Sequence, residues 1–555
     1  MEKWEELIGG ALLPAEKQAI DACRAGEFCT LGDGSRPEGP DDTRKIRAVV
    51  LRKLILGGFD VAPTHELGVT IAGAYVTGAL NLSLMHPKGS FTKLNNCCFE
   101  KGIHSYRAKF EMLDLDGSKV PFLHAMECEV STHLLLGEKF HAKGEVNLRA
   151  ATIGGQLEAD GGKFENPTGL AISANGIRVG GSVVMSKHFK ADGKVDLSAA
   201  TIGGQLNAKG GYFRFFCEDK QEPEQFALFA QGIDVRHDVF LSEGFKAEGG
   251  VNFAGATIGA QFSLEKSEFD NPNALALHAP HLTIKQALNF QDVNILNGVV
   301  NFAAAQVGTL VDDLASWPED GRVILDGFTY DRISGGAPTD SKTRLDWLSR
   351  GDGWREGFFP QPYQQCAKVL RIMGLEAEAK NILIERQKRI HQHHRQNFKK
   401  TNPKRAALWI VDGLYHALLD YGYQPLKALG WLLALWFVTV YLAAWAWNAG
   451  DMVPNSDVIL TSENWAAIHD AEHPANAWEG SPEGQAWESF SRYAWAADVV
   501  IPILDLGQTE AWSPSRNHGR AGHVLWVAKP LISSAGWIIL AFAAAGVTGV
   551  ARRQD

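Results

Sequence analysis

Between residues 68 and 312 the apolar positions follow a rhythm that is neither that of a helix nor a plain alternation. VNLRAATIGGQL at Val146, VDLSAATIGGQL at Val195, VNFAGATIGAQF at Val251 and VNFAAAQVGTLV at Val300 repeat one arrangement of apolar and small residues. Weaker copies lie between them: AISANGIRVGGSVV from Ala171, LFAQGIDVRHDVFL from Leu228 and LHAPHLTIKQALNF from Leu277. The residue after the central Ile or Val falls at Gly154, Gly180, Gly203, Arg236, Gly259, Lys285 and Gly308, in steps of 26, 23, 33, 23, 26 and 23. The step of 33 holds an insertion, FRFFCEDKQEPEQ from Phe213. VTIAGAYVTGALNL from Val69 reads as an earlier copy, with degenerate ones near Phe110 and Val130.

Within a unit, Leu148, Ile153 and Leu157 are the apolar marks, separated by Ala150, Ala151, Gly154 and Gly155. Coils this dense in glycine leave no room for a helix of ten residues. The pattern predicts two or three short strands per coil, each pairing with its counterpart in the next coil. The fold class expected is mostly β: a right-handed parallel β-helix over 68–335, with α-helical caps. A leucine-rich horseshoe has a similar period, but its L-x-x-L-x-L…N pattern is missing.

Solenoid ends need covering, because terminal coils otherwise expose strand edges. WEELIGGALL and KIRAVVLRKLILGG show helical periodicity and predict an α-helical N-terminal cap over 1–67. PYQQCAKVLRIMG and EAEAKNILIERQKRIHQHH predict a helical hairpin turning at Gly374, similar to a single tetratricopeptide-like pair. Its facing stripes are Cys366, Val369, Leu370 and Met373, then Ile382 and Leu383. The region 336–405 is read as this hairpin followed by a basic juxtamembrane linker.

The remaining segment, 406–555, reads as a transmembrane region. Ala428–Trp447 and Leu531–Val550 each carry 20 uncharged residues, enough to cross a hydrocarbon core of about 30 Å. Trp431, Trp445, Trp447 and Trp537 suit aromatic anchors. The bland alternative is two buried core helices of a soluble domain. Arg386–Arg405 is rich in Lys and Arg, whereas the connecting loop Asp451–His523 carries 11 acids against Arg492, Arg516 and Arg520. The positive-inside rule then puts both termini and the soluble domain in the cytoplasm, on an inner (cytoplasmic) membrane crossed twice. Tyr493–Gly507 is apolar but too short to span and predicts a re-entrant or interfacial segment.

The order of parts resembles bacterial membrane proteins with a pentapeptide-like or β-helical cytoplasmic domain ahead of a two-span, ion-channel-like C-terminus. VLRKLILGG, the ATIGGQL coils, FPQPYQQCAKVLRIMGLEAEAKNILIERQ and DYGYQPLKALGWLLAL carry the resemblance. It implies a membrane-anchored β-helical scaffold or sensor coupled to a pore-like membrane domain. Two alternatives accompany it: an ion channel proper, and the membrane-associated oxidoreductase that similar sequences are often labelled. A potassium-type filter would read T-x-G-Y-G-D, whereas this chain has Ile503-Leu504-Asp505-Leu506-Gly507-Gln508. The pore-lining expectation therefore falls on the carboxylates of Asp498 and Asp505, with Gly507. Two spans cannot enclose a channel alone, so the reading requires a homo-oligomer.

Chemistry narrows the picture further. No G-x-G-x-x-G follows a strand within a βαβ unit, and no P-loop is present, so no cofactor and no catalytic residue are expected. His391 with His394, and His469 with His473, are weak metal pairs lacking a third ligand. Arg386, Lys388, Arg389, Arg395, Lys399, Lys400, Lys404 and Arg405 are expected to face anionic lipid headgroups. A net charge of −10 argues against nucleic acid as a partner. The partners expected are membrane lipids, further copies of the chain, and an unknown protein or small ligand on the solenoid face. Seven cysteines without metal or redox spacing read as reduced, buried thiols.

Overall fold

Each repeat folds into one coil of a parallel β-solenoid of about 11 turns. The computed structural model describes residues 2–60, 62–216, 225–319, 321–353, 357–396, 403–424 and 426–553. It divides into two compact units, Met1–Leu383 and Ile384–Asp555. The sequence spacing is the strand register. The ladder that starts at Thr152 runs through Arg178, Thr201, Asp234, Thr257, Thr283, Gln306 and Thr329, each paired with the next, one per coil.

Four strand segments, rather than two or three, make a coil. Val146–Asn147 and Lys163–Ser173 join one sheet, while Thr152–Ile153 and Leu157–Glu158 join the other. Most segments are two residues long, too short to print an alternation of period two on the sequence. The four inward side chains Val146, Ile153, Leu157 and Phe164 are all buried. The last belongs to a column that runs through the core as Phe140, Phe164, Phe189, Phe213, Phe245 and Phe269, with ring centroids 5.1–5.7 Å apart. The signal was present in the sequence: a Phe stands nine or ten residues after each repeat mark from Gly154 to Gly259.

The glycines of ATIGG hold a bend for a reason other than left-handed backbone. A Cβ on Gly154, Gly180 or Gly203 would stand 2.1–2.2 Å from the carbonyl oxygen of Ser131, Gly154 or Gly180 below it. Left-handed residues instead mark a different corner of each coil, at Leu84, Arg107, Glu127, Ala150, Gly176, Ala199, Gly232, Gly255, His281, Ala304 and Gly327. Most are not glycine, so the ladder above and below must hold a conformation that costs of order 1 kcal/mol per residue.

Helices close both ends, as expected, but the N-terminal cap is not purely helical. α1 (Glu2–Ile8), α2 (Pro14–Ala25) and α3 (Ala48–Ile55) alternate with strands Cys29–Thr30 and Lys45–Arg47. These strands pair with Ile71–Ala72 and Tyr75–Thr77, so the sheets begin before residue 68. Glu16 of α2, fully buried, locks this end through Arg47, whose Nε and Nη2 donate to Oε1 at 2.8 Å and Oε2 at 2.6 Å.

At the other end α4 (Ser341–Ser349) precedes the expected hairpin of α5 (Gln361–Ile372) and α6 (Glu376–Gln396), which turns at Gly374 with φ +81°. The glutamines of QPYQQ explain that motif. Gln361 accepts from the Gly327 amide and donates to Phe328 O, and Gln365 donates to Tyr330 O at 2.6 Å. They satisfy the backbone edge that the last strand, Thr329–Ile333, would otherwise leave open.

Candidate functional site

In the second unit, two helices are long and apolar enough to cross a membrane. α8 (Leu426–Asn448) contains the whole of the predicted 428–447 span. At 1.5 Å per residue it is about 35 Å long. The last helix (Arg520–Arg553) begins eleven residues before the predicted 531–550 and runs through Lys529 and Pro530, and its apolar stretch is Arg520–Ala545. Only 17% and 22% of the two apolar windows are buried, the opposite of core helices in a soluble domain. Trp431, Trp445 and Trp537 are exposed as anchors would be. Trp447 is not: it is buried, stacked on Phe490 at 4.1 Å.

The predicted 493–507 segment is a short wedge helix, Arg492–Val500, followed by a return loop. Ser491 caps it, accepting from the Ala494 amide. It packs against both α8 and the last helix. Trp436, eleventh of the 23 residues of α8, donates from Nε1 to Tyr493 O at 3.1 Å. On the other side Gly536 admits the end of the wedge, since a Cβ there would stand 2.0 Å from Val500 O. The wedge therefore engages the middle of the hairpin rather than its end.

The three residues expected to line a pore have different fates. Asp498 is buried, and its carboxylate accepts from the amides of Leu506 at 2.8 Å, Gln508 at 2.9 Å and Thr509 at 3.3 Å. A carboxylate held by three amides organises the return loop and does not turn outward. Gly507 supplies the left-handed turn at φ +73°. Asp505 is exposed between Ile503, Leu504 and Leu506, which are themselves 70%, 43% and 51% exposed. It is the one of the three whose carboxylate faces outward.

Above the wedge, Met452–Pro454 pairs with Trp512–Pro514 and ties the two ends of the connecting loop together. His469 turns to Ala466 O and Asp470, and His473 packs beside Gly450, so the two imidazoles serve separate local contacts. Among the described residues no group of three or more His, Cys, Asp or Glu could hold a metal ion. The six described cysteines are free and buried, and Cys217 lies outside the described residues. Burial pushes the thiols of Cys23, Cys97 and Cys128 up to about 12, so they are poor nucleophiles.

A second polar cluster lies where the basic segment meets the spans. α7 (Pro403–Leu419), an amphipathic helix not foreseen from the sequence, buries Asp412, Leu418 and Leu419. Asp412 pairs with Arg395 of α6, lies 3.1 Å from His391 Nδ1 and accepts from the Tyr421 hydroxyl. Burial lowers the His391 pKa and outweighs the pull of Asp412, while burial raises that of Tyr421. Asp420 then pairs with Lys427 at 2.5 Å and His416 at 3.2 Å.

This changes the reading of the basic residues. Arg395 is committed to Asp412, and Lys388 and Arg389 pair with Glu385 at 3.2 and 3.1 Å. Arg386 is half-buried, Lys404 and Arg405 open α7, and Lys399 and Lys400 lie outside the described residues. What α7 presents outward is apolar: Leu408, Trp409, Ile410, Val411 and Leu414 are 37–67% exposed. Its buried residues, Asp412, Leu418 and Leu419, carry no regular apolar spacing along the helix.

Compared with protein-family models, curated proteins and solved structures, the chain matches none.

Proposed function

We propose that this protein is a membrane-anchored β-solenoid scaffold or sensor whose two-span membrane unit assembles, with further copies of itself, around a shared polar axis. The observation that carries the reading is the wedge. A short helix engaged by mid-span Trp436 and Gly536, followed by a loop with the exposed Asp505, suits a re-entrant segment between two spanning helices. A carboxylate at such a level is costly against lipid, and facing a water-filled axis between copies removes that cost. Charge asymmetry supports the topology: both termini and the solenoid cytoplasmic at an inner membrane, with the acidic loop outside. α7 then lies along the cytoplasmic membrane face, its apolar side in the headgroup–acyl boundary and Lys404 and Arg405 toward anionic headgroups. The solenoid face is left to bind a protein or small ligand.

The test is cation flux in proteoliposomes together with native mass spectrometry in detergent. The reading expects an oligomer of at least three copies, and a flux that Asp505→Asn lowers about tenfold or more by removing the ring of charge. A monomer in both detergent and nanodiscs would overturn the shared axis. Flux unchanged by Asp505→Asn would overturn the role of Asp505.

A further inference from the structure

Several lysines on the solenoid's sheet face are neutralised by acids. Lys163 pairs with Glu165, and Lys246 with Glu268 at 2.9 Å and Glu248 at 3.5 Å. His141, in the same column as Lys119 and Lys163, has Glu165 at 2.7 Å. In one place unpaired cations gather instead. A groove of about 470 Å³ opens between the arm that follows the first strand and the coil corners, lined by Arg36, Glu38, Asn96, Lys119, Lys139 and His141, among others. Among the described residues neither Lys119 nor Lys139 makes an ion pair, and Glu38 is the one acid in the lining.

Arg36 makes the imbalance permanent. Its Nη1 donates to Gly117 O at 2.6 Å and Lys139 O at 2.8 Å, so two carbonyls of the coil corners pin the guanidinium in place. It adds positive charge where Lys119 and Lys139 already supply two, and it cannot swing away to relieve their repulsion. With His141 neutral the lining keeps a surplus of two positive charges, on a chain whose net charge is −10. Like charges gathered by three separate segments are unfavourable unless something of opposite sign joins them. A groove of this volume suits a small molecule.

We propose that this groove binds a small, multiply charged anion carrying phosphate or carboxylate groups, held by Arg36, Lys119 and Lys139. Arg36 provides the fixed charge, the two lysines close on the ligand, and the Asn96 amide is placed on the wall. The groove lies wholly within Met1–Leu383, so its failure leaves the membrane reading untouched, and the converse also holds.

The experiment is isothermal titration of the full-length protein in detergent with pyrophosphate and, separately, citrate, against sodium chloride at matched ionic strength. The expected result is one saturable site for at least one of the two anions. Lys119→Met/Lys139→Met weakens it by at least about tenfold, and Lys190→Met, on the same face outside the groove, leaves it unchanged. Glu38→Gln, an exposed change that removes the opposing charge, tightens binding severalfold and gives a second reading if the double variant does not fold. Heats no different from sodium chloride, equal binding by a folded double variant, or binding unchanged or weakened by Glu38→Gln would each overturn the proposal.

Discussion

Arg344→Met should loosen the final coils of the solenoid and leave the rest alone. Arg344 and Asp312 are 2% and 1% exposed. The guanidinium donates from Nη1 to Oδ2 at 2.9 Å and from Nη2 to Oδ1 at 2.8 Å, and its Nε donates to Pro338 O at 2.7 Å. Trp317 Nε1 adds a third donor to the carboxylate at 2.8 Å. Removing the arginine leaves a buried carboxylate with one neutral donor, a loss on the order of 3–5 kcal/mol. At about 1.4 kcal/mol per tenfold, that is roughly two to three and a half orders of magnitude in local opening. Because coils contact only their neighbours, the loss should stay near the C-terminal end. Amide hydrogen exchange by mass spectrometry on the full-length protein reads this directly, comparing peptides over 306–333 with peptides over 152–184. Removing both charges in Arg344→Met/Asp312→Leu should recover part of the protection, since no unpaired charge remains. The reasoning fails if exchange at 306–333 rises less than tenfold, if remote coils rise equally, or if the double variant exchanges faster than the single one.

Phe189→Ala, at a fully buried ring 5.2 and 5.1 Å from Phe164 and Phe213, should cost about 3–5 kcal/mol in denaturant unfolding. A cost below about 1 kcal/mol would contradict a packed column. Burial pushes the Asp116 carboxyl up to about 6, with the charges of Asp114, Glu158 and Glu138 adding to it. A carboxyl raised in the folded state favours folding at low pH, and that contribution disappears as pH rises through about 6. Asp116→Asn, which still accepts from the Gly137 amide, should therefore raise the melting temperature at pH 8 and leave it unchanged near pH 4; equal shifts at both would refute the assignment. For α7, a nitrobenzoxadiazole label at Trp409→Cys in nanodiscs should be quenched most by spin-labelled lipid near the headgroup, whereas a label at Phe437→Cys, exposed at the middle of α8, should be quenched most by deeper labels. Quenching at 437 but not at 409 would keep the spans and remove α7 from the membrane surface.

The solenoid was legible in the sequence because its register is a property of spacing. Each coil must return its strands to the same height, so the steps of 26, 23, 33, 23, 26 and 23 appear unchanged as strand pairing. The two apolar helices were legible for the same kind of reason, since span length is set by local composition alone. Four segments per coil, the strands inside the N-terminal cap and the helical run through Lys529 and Pro530 were not, because two-residue strands and packed prolines leave no periodicity to read.

The membrane site divides along the same line. Sequence alone determined that 493–507 is apolar and too short to span, and that Asp498, Asp505 and Gly507 sit within it. Only the tertiary structure decided which carboxylate faces out: Asp498 is held by amides eight to eleven positions further on, contacts that depend on how the loop folds back. The same holds for Asp412, which gains Arg395 and His391 from another helix, and for Gly536, whose missing side chain admits the end of the wedge. Repeats and spans are written in short-range order, whereas the polarity of a site is settled by long-range partners.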